Sequence, residues 1–249
     1  LFAYFSDRSQ AISHLASYGY AWDAEIILRC AYEVAGKIWL ICLYPKDGRG
    51  KLIEEIWGIS AEIHNRKKAR KANLAKQLHI LRNAHYDSKV FDFLEDKEIF
   101  PHDEINKKER KGIEQKWSFT EIINYLEANH PKDFPMKYIT CLLFNYDAAS
   151  HLIHADDHAL DLMLDRELRD PEELTLLTLS HTIRIWSDLV SLWNMSAETL
   201  RYHFGIREKN RDLYMYIEKF SKVSDPIRAR FNQTQEKFYN TWQEKKNSI

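Results

Sequence analysis

Five polar side chains in two apolar segments have the types and the spacing of an acid–base site. They are Arg29, Glu33, Tyr146, Ser150 and His154. In a helix, residues four apart share a face, so each group forms a stripe. Arginine supplies a fixed cation, histidine titrates near neutral pH, and the other three would orient these groups or position a substrate oxygen. On facing helices this set would suit RNA cleavage without a metal, in which a base takes the 2′-hydroxyl proton and a cation stabilises the phosphorane.

The same stripes also fit a purely structural role. Glu25, Arg29, Glu33 and Lys37 alternate in charge at four-residue intervals, which is typical of an ion-pair ladder along one helix. The serine and histidine of the second stripe would then belong to a polar network that fixes packing. On this alternative the chain is a non-catalytic helical interaction or scaffold protein.

Three histidines within eight residues raise a second alternative, a metal site. His151, His154 and His158 lie close to Asp157 and Asp161, and histidines one helical turn apart can share an ion. The segment has no His-Glu-x-x-His order and no cysteine partner, and a solvated helix end explains it equally well. We therefore expect no metal ion and no other cofactor.

Two runs of basic residues would make positive patches on a chain whose formal net charge is −1. The first run comprises Arg66, Lys67, Lys68, Arg70, Lys71 and Lys76, and the second comprises Lys107, Lys108, Arg110 and Lys111. Either run could hold a nucleic-acid backbone, and we predict that the residues from 66 to 71 contact RNA. The alternatives are a solvated helix face, or pairing with the acidic segment 156–173 within one chain or between chains.

The Arg29-x3-Glu33 and Ser150-x3-His154 patterns resemble an uncharacterised bacterial family of all-helical proteins. Its members carry the first pattern on an early apolar helix and the second on a later one, and the resemblance covers about residues 20–195. That family is similar in turn to the HEPN group of helical bundles, many of which are ribonucleases of toxin–antitoxin and phage-defence systems. The resemblance implies an RNA-binding protein or a metal-independent ribonuclease that acts as a bacterial defence or toxin effector.

The signature of the HEPN group departs from this sequence. That signature is an arginine followed after four to six residues by a histidine, and here its match is Arg8-x5-His14, far before the later helix on which the group carries it. Arg82 and His85 are too close together to fit. The ribonuclease hypothesis therefore depends on the two stripes.

Long helices must position these residues. Hydrophobic residues make up 45% of the 249 residues, and only seven glycines and six prolines interrupt them, which favours an all-α multi-helix bundle with little or no β structure. We predict one α-helical domain over residues 1–249, with its bundle core at about 20–195 and C-terminal helices at about 196–246. There is no Gly-rich phosphate loop and no Gly-x-Ser-x-Gly elbow, which argues against nucleotide hydrolases and esterases.

Apolar spacing and helix-breaking residues predict the order of the elements. The expected helices are 3–17, a central helix 21–44, 51–78, short ones at 90–94 and within 95–116, one from Ser118, one carrying Tyr146, one from Asp170 to about Trp193, one over 196–205, and two over 207–222 and 226–245. Residues 45–50 are expected to form a turn, and the helix with Tyr146 ends either near His154, before an acidic loop, or beyond Asp161.

Cysteine content and hydropathy bear on compartment and partners. Cys30, Cys42 and Cys141 lie in apolar settings without metal-type spacing, which predicts buried, reduced thiols and a cytoplasmic protein. No apolar run is long enough for a membrane span, and no signal peptide is visible. The expected partners are RNA, and a protein partner or a second copy of the chain.

Overall fold

The computed structural model describes residues 1–81, 106–134, 136, 139–206 and 211–247, with the backbone alone for 79–81 and 237–247. These residues form helices and no strand, which confirms the predicted all-α bundle. The helices are α1 (Phe2–Ser17), α2 (Ala21–Leu43), α3 (Lys46–Glu54), a π-helical segment (Glu55–Ser60), α4 (Ala61–Leu81), α5 (Lys107–Lys116), α6 (Phe119–Asn129), α7 (Cys141–His154), α8 (Asp157–Glu167), α9 (Pro171–Phe204) and α10 (Arg211–Asn247). The helix predicted at 90–94 lies outside the described residues.

Helix α2 is the centre of the bundle, as its nearly all-round apolar sequence predicts. It packs against α1, α6, α7 and α9. Tyr32 and Trp39 are fully buried in it, and Trp39 Nε1 donates to Ser196 Oγ of α9 at 2.9 Å. Gly36 lets α6 approach closely, because an added Cβ would lie 2.9 Å from Phe119 Cδ2. A polar residue on an inner face of α2, such as the fully buried Glu25, is therefore surrounded by other helices.

The predicted helix caps at Ser118 and Asp170 are confirmed. Ser118 Oγ accepts from the backbone N of Glu121 at 3.3 Å, and Asp170 Oδ1 accepts from the backbone N of Glu172 at 2.9 Å and of Glu173 at 3.0 Å. These bonds satisfy amides that have no partner inside the helix. Helices α6 and α9 consequently begin where the sequence places them.

The predicted turn at 45–50 is wrong. Pro45 precedes the first residue of α3, and the following residues are helical and lead through the π-helical segment into α4. Arg49 explains the sharp start, since its Nη2 donates to the carbonyls of Cys42 at 3.0 Å and Tyr44 at 2.8 Å, which lie at the end of α2. The Arg49 side chain of α3 thus donates hydrogen bonds to carbonyls that have no partner within α2.

The predicted breaks within α9 and α10 are also wrong. Ser196 resembles a helix cap in sequence, but it is buried in mid-helix as the partner of Trp39, and α9 runs on to Gly205, whose φ of 66° ends it. Pro226 lies within α10 on an exposed face. Proline there costs one intrahelical hydrogen bond, to the carbonyl of Lys222, without ending the helix.

The end of α7, which the sequence left open, lies at His154. Ala155 follows with a left-handed φ of 46°, and Asp156 then caps α8 by accepting from the backbone N of Ala159 at 3.2 Å. A second helix therefore stands where an acidic loop was the alternative. The three cysteines are not buried as predicted, since Cys141 at the start of α7 is exposed and Cys30 and Cys42 are partly exposed. In the described part of the chain, no helix has the length and apolar character that crossing a membrane requires.

Candidate functional site

Three of the five predicted site residues meet between α2 and α7. Tyr146 Oη donates to Glu33 Oε1 at 3.0 Å, and Arg29 Nη2 donates to Tyr146 Oη at 3.4 Å. The guanidinium of Arg29 lies 5.1 Å from the centroid of the Tyr146 ring. Burial, and to a smaller extent the Glu33 carboxylate, raise the pKa of Tyr146 although Arg29 opposes them. We call these three residues the Arg29 cluster.

The other two predicted residues lie apart from this cluster. Ser150 Oγ donates to the backbone carbonyl of Tyr146 at 3.0 Å, one turn back in the same helix. His154 is exposed and forms no hydrogen bond or ion pair with the residues that the structure describes. Each four-residue step turns the side chain by about 40° around the helix axis. Two such steps carry His154 off the face that Tyr146 occupies.

The histidines considered for a metal site link α7 to α8. His151 Nδ1 lies 2.6 Å from Asp156 Oδ2, and the rings of His151 and His158 are 4.9 Å apart. The hydrogen bond with Asp156 raises the pKa of His151. His154 takes no part in these contacts. Within the described ranges, no three His, Cys, Asp or Glu side chains are grouped so that they could hold a metal ion.

The basic residues predicted to contact RNA lie on α4, and their charge is partly compensated. Arg66 Nε donates to Glu62 Oε1 at 2.9 Å, and Lys67 forms an ion pair with Glu114 of α5. Lys68, Arg70 and Lys71 are exposed on the same helix. Part of the α4 surface therefore remains positively charged.

A second polar cluster, which the sequence did not reveal as a unit, is buried between α2, α7 and α9. Glu25 Oε2 accepts from His181 Nε2 at 3.0 Å and from Arg184 Nη2. Arg184 Nη1 donates to Asp188 Oδ2 at 3.1 Å, and Asn145 Nδ2 donates to Asp188 Oδ1 at 3.2 Å and Oδ2 at 3.0 Å. Glu25 is fully buried and Asp188 is 7% exposed. We call these five residues the Glu25 cluster.

Hydrogen bonds and burial act in opposite directions on the two carboxylates of this cluster. Burial alone would raise the pKa of Glu25, but the bond from His181 and the charge of Arg184 outweigh it and lower that pKa. Burial raises the pKa of Asp188 to about 6 although Arg184 opposes it. Glu25 is therefore an ionised acceptor at neutral pH, while Asp188 can take up a proton in mildly acidic solution.

A cavity of about 590 Å³ opens beside the Glu25 cluster, among α2, α7, α8, α9 and α10. Glu25 and His181 line it, together with four arginines and the aromatic rings of Trp22, Phe144 and Phe231. The four arginines are Arg166, Arg169, Arg184 and Arg228. Among the described side chains of this lining, the carboxylates are those of Glu25 and Asp165. The cavity therefore combines apolar walls with an excess of positive charge.

Arg166 provides much of that excess charge. Its guanidinium lies 4.9 Å from the centroid of the Trp22 ring, and its Nη2 donates to Thr178 Oγ1 at 2.7 Å. Among the described ion pairs none involves Arg166. Burial, and then the charge of Arg169, lower the pKa of Arg166. An anion in the cavity would offset the repulsion between Arg166 and Arg169 and would give Arg166 a partner of opposite charge.

Comparison with known proteins places this fold in a family. The family model described as a family of unknown function, DUF5677, matches residues 1–172. The chain belongs to this family. No curated protein and no solved structure matches it. The family match agrees with the predicted resemblance to a family without an assigned activity.

The DUF5677 match includes the Arg29 cluster but only part of the Glu25 cluster. Glu25 and Asn145 lie within residues 1–172, whereas His181, Arg184 and Asp188 follow on α9. The chemistry of the cavity thus combines residues from inside and outside the matched region. Sequence inspection singled out Glu25 as part of an ion-pair ladder with Arg29, whereas its partners are on α9. The signal that could have found them is His181-x2-Arg184-x3-Asp188, which places a histidine, an arginine and a carboxylate on neighbouring faces of one helix.

We expect Asp188 to make the stability of the fold depend on pH. With a folded pKa of about 6 and an unfolded value near 4, the native state binds more protons between these two pH values, so the contribution of Asp188 to the free energy of unfolding falls as pH rises through this window. As pH rises through this window, the free energy of unfolding of Asp188→Asn should increase by about 1–3 kcal/mol relative to that of wild type. Urea titrations across the window measure the difference.

The Glu25→Gln variant provides the matched comparison. Because the pKa of Glu25 is lowered, its carboxylate stabilises the fold at neutral pH, and this stabilisation is lost as pH falls. The free energy of unfolding of Glu25→Gln should therefore be lower than that of wild type at neutral pH and should approach it in acid. A difference between wild type and Asp188→Asn that stays constant across the window would contradict the raised pKa.

Proposed function

We propose that this protein binds single-stranded RNA, with one nucleotide unit in the cavity, and cleaves it without a metal ion. The observation that carries this proposal is that His181, held by Glu25, shares one cavity with four arginines and Trp22. Phosphate recognition requires fixed cations, and a base requires a flat apolar surface. The imidazole of His181 beside them supplies the acid–base group.

The charges and rings of the cavity favour a nucleotide over a purely apolar ligand. Arg166 and Trp22 are stacked, so a base could extend the stack while its phosphate meets the guanidinium. Arg228 lies at the same cavity and is held by Ser187 and by Asp225, whose Oδ1 is 3.4 Å from Nη1. Arginines held by neighbouring side chains lose little freedom when an anion binds.

The geometry of His181 favours a role as general base. A carboxylate can only accept, so Nε2 of His181 carries the proton that points at Glu25. The neutral ring then has its lone pair on Nδ1, which has no hydrogen-bond partner among the described residues. We infer that Nδ1 takes the proton of the ribose 2′-hydroxyl and that Glu25 stabilises the imidazolium that forms.

The bonds that change are those at one phosphorus. The 2′-oxygen forms a new bond to it, the bond to the 5′-oxygen breaks, and that oxygen takes a proton from water in the open cavity. The imidazolium of His181 then gives its proton to the hydroxide that remains. Arg166 and Arg184 line the same cavity and would stabilise the charge on the pentavalent phosphorane. The products are a 2′,3′-cyclic phosphate and a 5′-hydroxyl end.

The residues predicted from sequence keep a place in this proposal. Lys68 and Lys71 of α4 would hold the RNA backbone beyond the cavity. The alternative catalytic site is the set predicted from the two stripes, namely Arg29, Glu33, Tyr146, Ser150 and His154. A role as a defence or toxin effector is part of the same hypothesis and depends on RNA cleavage.

Binding of a labelled single-stranded RNA to the Arg166→Gln variant tests this proposal. We expect the dissociation constant to rise about tenfold and the slope of log affinity against log salt to fall by about 0.7, because one phosphate contact is lost. Fluorescence anisotropy at several salt concentrations measures both. Arg211→Gln removes the same charge from an exposed site outside the cavity and is the matched control. Equal losses in the two variants, or no binding by wild type at low salt, would refute RNA binding in the cavity.

A further inference from the structure

Helices α4 and α8 each carry an outward row of residues, here called a seam, with the same spacing. The α4 seam is Lys67, Lys71, Leu74 and Leu78, and the α8 seam is Asp157, Asp161, Leu164 and Leu168, the last directly after the helix. The intervals are four, three and four residues in both rows. This alternation is the spacing of the contact positions in a coiled coil. All eight residues are exposed, and the four leucines are between 46% and 79% exposed.

The two seams are complementary in charge and in apolar surface. In parallel alignment, the lysines of α4 lie opposite the aspartates of α8, and the leucines of the two helices lie opposite each other. Lys71, Asp157 and Asp161 form no ion pair with any described residue, whereas Lys67 already pairs with Glu114. The two seams thus present opposite charges in their first halves and leucines in both of their second halves.

The seams are also equal in length. Each extends over eleven residue steps, which corresponds to about 16 Å of helix. Both are exposed in the same copy, so they do not cover each other within one chain. A second copy is a partner that carries the complementary seam in matching register.

We propose that α4 of one copy docks in parallel on α8 of a second copy. In a two-fold dimer each copy gives its α4 seam and receives on its α8 seam, so the contact forms twice. Neither seam includes a residue of the cavity lining, so the dimer does not depend on the proposed cleavage in the cavity. Lys71 is shared with the proposed RNA contact on α4, and the dimer is therefore measured without nucleic acid. The acidic segment after α7 then serves as the intermolecular partner of the basic face.

A charge exchange between Lys71 and Asp161 tests the register. We expect Lys71→Asp and Asp161→Lys each to raise the dissociation constant of the dimer at least about tenfold, and the double variant, which restores opposite charges at both contacts, to return it towards wild type. Sedimentation at low ionic strength, without nucleic acid and at several protein concentrations, measures the mass. Leu164→Glu should dissociate the dimer as well, because it places a charge in the apolar half.

Lys132→Asp is the matched control, since Lys132 is exposed, has no ion pair in the described chain and lies outside both seams. It should leave the mass unchanged. All these positions are exposed, so the variants should fold, and thermal unfolding checks this. A monomer at every concentration, a dimer that survives both single exchanges, or a Lys71→Asp variant that loses only RNA binding would each overturn the proposal.

Discussion

Replacing Arg184 by methionine should lower the free energy of unfolding by about 3–5 kcal/mol. Arg184 bonds to both Glu25 and Asp188, and no other described cation forms an ion pair with Asp188. Methionine keeps much of the side-chain volume but leaves two buried carboxylates, of which only Glu25 keeps a histidine partner. Uncompensated buried charge costs more than a lost hydrogen bond. Urea denaturation at neutral pH measures the change.

Two comparisons make this prediction specific. Arg169→Met breaks the exposed pair with Asp165, whose Oδ2 lies 2.8 Å from Arg169 Nε, and should cost no more than about 1 kcal/mol. The deficit of Arg184→Met should shrink as pH falls, because protonation neutralises the stranded carboxylates. Equal losses for the two arginine variants, or a deficit independent of pH, would show that Glu25 and Asp188 do not depend on Arg184.

The parts of the fold that local sequence determines were predictable. Breaker residues and apolar spacing identify the helices, and the side chains of Ser118 and Asp170 mark two helix starts through bonds made within three residues. The Arg29 cluster was also predictable, because Arg29, Glu33 and Tyr146 are polar residues on apolar helices. Such residues must find each other or remain unsatisfied.

The parts that tertiary packing determines were not predictable. His181 is 156 residues from Glu25 along the chain, and nothing in the local pattern says that α9 rather than α7 faces Glu25. Ser196 has the composition of a cap, and only the position of Trp39 makes it a buried acceptor. His154 shares a stripe with Tyr146 in sequence, but the rotation of that stripe carries it into solvent. Contacts between distant helices decide the first two cases, and the geometry of a single helix decides the third.

Replacing His181 by glutamine should reduce RNA cleavage about 10²–10⁴-fold while leaving RNA affinity within about twofold of wild type. Glutamine can still donate from its amide to Glu25, so the cavity keeps its shape, but it has no nitrogen that can take up a proton. The arginines that would hold phosphate are unchanged. Cleavage of a labelled single-stranded RNA in the presence of EDTA measures the rate, and detection of 2′,3′-cyclic phosphate ends identifies the reaction. A fully 2′-deoxy substrate should bind and remain intact.

His154→Ala distinguishes the two candidate sites. If the cavity is the active site, this variant cleaves RNA at the wild-type rate, because His154 is exposed and lies off the Arg29 cluster. If instead His154→Ala abolishes cleavage and His181→Gln retains it, the stripe of Tyr146, Ser150 and His154 is the active site. In that case the Glu25 cluster is structural, and the stability loss expected for Arg184→Met would stand without any catalytic role for the cavity. Thermal unfolding of both histidine variants ensures that a lost rate is not a lost fold.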